Sequence, residues 1–171
     1  ALLQADGDVV GVDGVSALSF SGLASNTVYV AVKHRNHLGV MTAAAITLSP
    51  TTVTVDFTNA GTAVYGSNAQ RTLGGKQTLW PGNANGNTNV IGAGPSNDIS
   101  TILGDVLSAP GNYTTNVNYI LSGYRRTDLN LDSKTLAAGP NNDVNIVLTS
   151  VFVHPGNSAT AANYIVQQQL P

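Results

Sequence analysis

Apolar and polar positions alternate with a two-residue rhythm through the first third of the chain. Val9-Val10-Gly11-Val12, Ala17-Leu18-Ser19-Phe20, Val28-Tyr29-Val30-Ala31-Val32, Thr42 to Leu48 and Val53-Thr54-Val55-Asp56-Phe57 read as five strands. Asp13-Gly14, Gly22 to Thr27 and Ser49-Pro50 supply turn residues between them. Helical periodicity is missing from this stretch. The expectation is therefore a mainly-β protein whose residues 1–80 form an antiparallel, Ig-like β-sandwich half. Residues 59–80 are less regular, with loops at Tyr65-Gly66-Ser67-Asn68 and Leu73-Gly74-Gly75-Lys76.

Past residue 80 the rhythm changes. A shift of 45 residues lays the remaining chain over itself without a gap: Gly94-Pro95-Ser96-Asn97-Asp98 falls on Gly139-Pro140-Asn141-Asn142-Asp143, Pro110-Gly111-Asn112 on Pro155-Gly156-Asn157, and Asn118-Tyr119-Ile120 on Asn163-Tyr164-Ile165. Register preserved through loops as well as apolar positions marks a duplication, so 81–171 is read as a tandem repeat of 83–127 and 128–171. In each copy a polar loop ends at Asn-Asp and apolar residues then recur at helical spacing: Ile99, Ile102, Leu103 and Val106, then Val144, Val147, Leu148 and Val151. Asn97 and Asn142 are placed to cap these helices, and Pro110 and Pro155 to stop them. Helices of about three turns do not persist alone; packed face to face across a pseudo-twofold axis, they would bury both stripes.

The loops before the helices carry the candidate chemistry. Asp128, Asn130 and Asp132 stand at positions 1, 3 and 5, with Lys134 at position 7 offering a backbone carbonyl, the way an EF-hand-type loop begins. Asp143 is the carboxylate expected to close the site, and oxygen ligands without His or Cys suit calcium. The closing acid falls at position 16 rather than 12, and Ser133 stands where glycine is usual. The first copy offers Asn83, Asn85, Asn87 and Asn89 with Asp98 alone as carboxylate, a weaker site. The alternative is that both loops are Asx-turns that cap helices and hold no metal.

Charge narrows the functional classes. Of 171 residues, nine are acidic, all of them Asp, and seven are Lys or Arg, a net charge of -2. That balance offers nothing for nucleic acid or an anionic membrane, and no run is long enough to span a bilayer. The chain has no cysteine, hence neither disulfides nor thiolate chemistry. Ala1 to Asp6 lacks signal-peptide character, as expected of a processed, exported product. An Asn-rich, weakly charged surface points outside the cell. No nucleophile elbow is found, and Gly74-Gly75-Lys76-Gln77 and Gly92-Ala93-Gly94-Pro95 fail as phosphate or dinucleotide turns. His34 and His37, with Asp56, form a poor imitation of a metal or acid-base site; bracing a sheet end is the simpler role for His34, Arg35 and His37. Tyr65, Trp80, Tyr113 and Tyr124 serve either packing or a sugar-stacking surface. No enzymatic activity is expected.

The phrase Tyr29-Val30-Ala31-Val32-Lys33-His34-Arg35-Asn36-His37-Leu38-Gly39-Val40-Met41-Thr42, preceded by Ala1 to Val10 and followed by duplicated loops and a terminal Gln169-Leu170-Pro171, resembles the C-terminal module of secreted, adhesin-like Bacteroidota proteins. The resemblance spans nearly the whole chain. It implies an extracellular, calcium-stabilised module whose second half is a dockerin-like tandem repeat. The relatives have acids in the first loop where Asn stands here, and an apolar strand upstream of the segment at Ala1. A sandwich lacking that edge strand would accept one from another chain and build a filament, with Tyr164 to Leu170 or Ala1 to Gln4 as donor. The function expected is thus a self-assembling subunit of a surface fibre or matrix. The alternative is an attachment module, a piece of a larger protein, that binds a cell-surface protein or glycan.

Overall fold

The fold is described by a computed structural model over residues 1–4, 8–18, 26–49 and 53–171. Parts of the expected strand at Ala17 to Phe20 and of the turns at Gly22 to Thr27 and Ser49-Pro50 lie outside the described residues. The chain divides into a smaller unit, Ala1–Val28 with Thr47–Val53, and a larger one, Tyr29–Ile46 with Thr54–Pro171. This partition does not follow the expected boundary at residue 80, because residues 36–38 and 80 are hydrogen-bonded to each other and to the start of the first repeat. Leu38 N–H donates to the Trp80 carbonyl (2.9 Å), and the Gly82 and Asn83 N–H groups donate to the Asn36 carbonyl (both 3.1 Å).

In the smaller unit, β1 (Leu2–Leu3) pairs antiparallel with β2 (Val9–Val10), Leu2 opposite Val10. The expected turn at Asp13-Gly14 is present: Gly14 takes φ 79°, and Asp13 Oδ1 accepts the N–H groups of Val15 and Ser16. Thr27–Val28 forms β3. None of this unit's described residues is buried.

In the larger unit, β4 (Ala31–Val32) pairs antiparallel with β5 (Val40–Met41), so only the end of the long expected strand at Val28 to Val32 is laddered here. The interruption at Val30 has a local cause, since its N–H donates to the Thr42 hydroxyl (3.3 Å). Of the expected strand at Thr42 to Leu48, β6 covers Ile46–Thr47, and Val53 to Phe57 is not strand. A hairpin absent from the expectation joins β7 (Arg71–Leu73) to β8 (Lys76–Thr78), closed by Gly74 and Gly75 at φ 58° and 77°, the pair of left-handed residues that a tight hairpin turn requires. Then follow β9 (Asn89–Val90), α1 (Asp98–Leu107), β10 (Leu121–Ser122), β11 (Lys134–Thr135), α2 (Val144–Val153) and β12 (Val166–Gln167). Among the described residues, every sheet is two-stranded. The architecture is small antiparallel sheets with two helices.

The pairing of the last four strands is reciprocal. β9 of the first copy pairs with β12 of the second, Val90 opposite Val166, while β11 of the second pairs with β10 of the first, Thr135 opposite Leu121. The 45-residue shift converts one pairing into the other, so each repeat completes its partner's sheet. The helices pack against each other, and Ile102, Val106, Val147 and Val151 are fully buried, as their helical spacing predicts. Leu38, Trp80, Ala84, Val90, Leu129 and Val166 complete this core. Burying each such aliphatic side chain contributes about 1.5–3 kcal/mol.

Caps are duplicated too. Asn97 Oδ1 accepts the Ser100 N–H (2.8 Å) and Asn142 Oδ1 the Asn145 N–H (3.0 Å). Past the helix ends, buried Asn112 donates to the Val106 and Asn116 carbonyls and buried Asn157 to those of Val151 and Ala161. These four amides satisfy backbone groups that the helix termini leave orphaned.

Candidate functional site

Loop two is built from a chain of Asx-turns. Asp128 Oδ1 accepts the Asp132 N–H (3.0 Å) and Oδ2 the Ser133 N–H (3.1 Å). Asn130 Oδ1 also accepts from Asp132 (3.1 Å), and Asp132 Oδ1 from Lys134 (3.0 Å). Alternating side-chain oxygens therefore curl the backbone round one centre. Loop one does the same with amides: Asn83 Oδ1 accepts from Gly86, Asn85 Oδ1 from Asn87, and Asn87 Oδ1 from Asn89. Asn89 Oδ1 is a buried acceptor with no partner among the described residues.

The two Asp residues at the loop ends face inward. Asp98 Oδ1 accepts the N–H groups of Ala84 (2.8 Å) and Asn85 (3.2 Å), and its Oδ2 that of Ile91 (2.9 Å). Asp143 repeats the arrangement: Oδ1 accepts from Leu129 (2.6 Å) and Asn130 (3.3 Å), Oδ2 from Leu136 (2.8 Å). Each carboxylate thus clasps the two ends of its loop together. Both are fully buried. Burial pushes the Asp98 carboxyl up to about 6, against the pull of its three N–H partners. Burial likewise raises Asp143, and the negative charge of Asp128 adds to the shift. Asp143, expected as the closing ligand, spends both oxygens on backbone N–H donors, as Asp128 also does.

Among the described residues there is no group of three or more His, Cys, Asp or Glu side chains placed to hold a metal. A cation at loop two would instead rest on Asp128, Asn130 and Asp132 with the Lys134 carbonyl. The donor chemistry fits a hard cation: every donor is oxygen, two are carboxylates, and Asp132 is exposed with only one oxygen engaged in a hydrogen bond among the described residues. Loop one fits less well: N–H groups engage the Asp128 and Asn130 oxygens of loop two as they engage those of Asn83, Asn85 and Asn87, but loop one has only neutral amides where loop two has the carboxylates of Asp128 and Asp132.

Sequence reasoning missed the segment that joins the loops. Asn36 is fully buried; its Nδ2 donates to the Asp128 carbonyl (2.6 Å) and the Arg126 carbonyl (3.0 Å), while its own carbonyl receives Gly82 and Asn83. One residue therefore ties together the first residues of both repeats. Beside it, Arg35 donates from Nε to the Arg125 carbonyl (2.9 Å), sits 3.5 Å from the centre of the Tyr124 ring, and pairs with Asp128 Oδ2 at 3.4 Å. His34 and His37 touch through their Nδ1 atoms at 2.8 Å, and His37 Nδ1 also lies 2.9 Å from Asn36 Oδ1. Burial, with the neighbouring charges of His34 and Arg35, holds the His37 ring down at about 4, so the pair braces Asn36 as neutral rings. Asp56 is engaged with Thr58 on the surface. Trp80 is a core residue: its Nε1 donates to the Asn68 carbonyl (2.7 Å), and its ring lies 5.0 Å from that of His154. It is thereby removed from any surface shared with Tyr65, Tyr113 and Tyr124.

No helix of the described residues is long and apolar enough to cross a membrane. The chain matches no known protein-family model, no curated protein and no solved structure.

Proposed function

We propose that the chain is a non-enzymatic, extracellular structural module, a subunit of a surface fibre or matrix whose copies join by β-strand addition and whose second loop holds calcium. The observation that carries this reading is the smaller unit's lack of any buried described residue while Leu2, Val9, Val12, Val15, Leu18, Leu48 and Val53 all stand exposed. An apolar surface of that kind asks for cover from another chain. The β1–β2 ladder spans two residues, so its exchange between copies costs little, and a head-to-tail exchange does not close into a ring. The strand gained would complete the small unit's sheet toward a sandwich. Of the two donors considered, Tyr164 to Leu170 is committed within the larger unit: Val166 is buried against Val90, and Gln168 Oε1 accepts the Gly39 N–H (2.9 Å). The donor in this reading is therefore the Ala1 to Gln4 end. Asp128, Asn130, Asp132 and the Lys134 carbonyl would hold the calcium, which would neutralise the loop's two acids.

The second reading, a dockerin-like attachment module that binds a cell-surface protein or glycan, draws on Tyr113 and Tyr124, which are 93% and 78% exposed. Negative-stain electron microscopy of the native material, with and without a calcium chelator, separates the two. Long uniform fibres, absent after Val9→Asp and Val12→Asp substitution, are expected for the subunit. Dispersed monomers under all conditions would sink that reading in favour of the attachment module.

A further inference from the structure

We propose that Arg35 is the resident cation of loop two: its guanidinium neutralises Asp128 when no divalent ion is bound, competes with calcium for that carboxylate, and so sets the affinity of the site. The inference rests on the reading that loop two takes calcium. Asp128 is 1% exposed, and a buried carboxylate without a counter-charge is costly. Arg35 is the one cation in ion-pair range of it among the described residues. Its position is built rather than incidental. Tyr124 supports the guanidinium face, the Arg125 carbonyl takes Nε, and the Arg35 carbonyl in turn accepts Arg126 Nη1 at 2.7 Å.

The contact with Asp128 is nevertheless long. At 3.4 Å it is looser than the charge-assisted bonds of about 2.7–2.9 Å that such pairs reach, and Asp128 Oδ2 is shared with the Ser133 N–H. A single, loosely held positive charge is displaceable by a compact double one. Loop one supplies the contrast. Asn83 stands in place of Asp128 and needs no counter-charge, and there the guanidinium of Arg126 lies against Gly86 without an acid to meet. A guanidinium lies near both loops, but among the described residues only the one at loop two forms an ion pair with its acid.

The test uses the full chain, with calcium titrated calorimetrically and thermal unfolding followed in chelator and in excess calcium. Arg35→Gln is expected to bind calcium about 5- to 10-fold more tightly than wild type and to melt lower in chelator, with the deficit closing as calcium is added. Equal or weaker affinity in Arg35→Gln overturns the proposal while leaving the calcium site standing. Absence of calcium binding in wild type overturns both. Should Arg35→Gln fail to fold, Tyr124→Ala, which frees the guanidinium from its support at an exposed position, is expected to tighten calcium about 2-fold; unchanged affinity there overturns the proposal.

Discussion

In loop one the oxygen at Asn83 belongs to an amide and receives the Gly86 N–H; in loop two the oxygens at Asp128 belong to a carboxylate and receive Asp132 and Ser133, yet the two Asx-turns that follow are the same in both loops. Both close on a buried Asp with three N–H donors from equivalent residues. At those two turns the backbone needs one acceptor oxygen each, and Asn and Asp supply it equally well. The negative charge of loop two is therefore surplus to the fold. Buried Asp128 and Asp143 with exposed Asp132 beside them are unfavourable unless something positive is recruited, and Arg35 is there; in the proposed reading a divalent ion takes its place.

The largest effect expected on this comparison is at the shared clasp. Asp98→Ala and Asp143→Ala each strand three N–H groups, buried or partly buried, and should cost about 3 kcal/mol, read by urea denaturation in chelator. Similar losses establish equivalent clasps; a loss confined to Asp143 would break the symmetry. Next comes the brace at the joining segment. His37 has a folded pKa of about 4 against an unfolded value near 6.5, so the unfolded chain takes up the proton first. Its contribution to stability is complete above about pH 6.5 and lost as pH falls toward 4. Asp98 acts in the opposite sense, because its raised value of about 6 makes its contribution fall as pH rises from about 4 to 6. Replacing His37 by Asn should hence narrow the gap to wild type steadily between pH 6.5 and 4; a gap that does not change with pH would refute the neutral ring pair.

A smaller effect distinguishes the loop tips. Gly86 takes φ 77° in loop one, and Leu131 is forced to φ 65° at the equivalent place in loop two. Leu131→Gly should raise stability by about 0.5–1 kcal/mol, the relief of left-handed strain less glycine's added chain entropy. The smallest shift, and the sharpest, belongs to the paired replacement of Asp128 and Asp132 by Asn. In chelator this variant should fold within about 0.5 kcal/mol of wild type, as loop one already does, and its midpoint should no longer respond to calcium. A large loss in chelator would mean that loop two needs its charges to fold.

The helices were legible because their signals are local: apolar residues at helical spacing, Asn97 one step and Asn142 two steps before, proline soon after. The turn at Asp13-Gly14 was legible for the same reason. Asp98 and Asp143 stood out in the sequence as carboxylates for a metal, and each receives three loop N–H groups; spacing alone does not say whether a carboxylate turns toward an ion or toward the backbone. The strands were read too long. Alternation shows which residues suit a pleated surface, but a ladder also needs a partner edge, and here the partners are two or three residues long. The Gly74-Gly75 hairpin was missed since Arg71 to Thr78 carries almost no apolar alternation, and it is held by glycine geometry and by Thr72 bonding Gln77.

By itself the sequence determined the duplication, the two capped helices and the oxygen-lined loops, all features written in contiguous residues. Only the tertiary structure decided that the repeats trade strands, that Asn36 pins both loop origins, the second from 92 residues away, and that Arg35 meets Asp128. Those contacts depend on distant segments meeting around one core, and no local pattern encodes which neighbour a buried polar group will find.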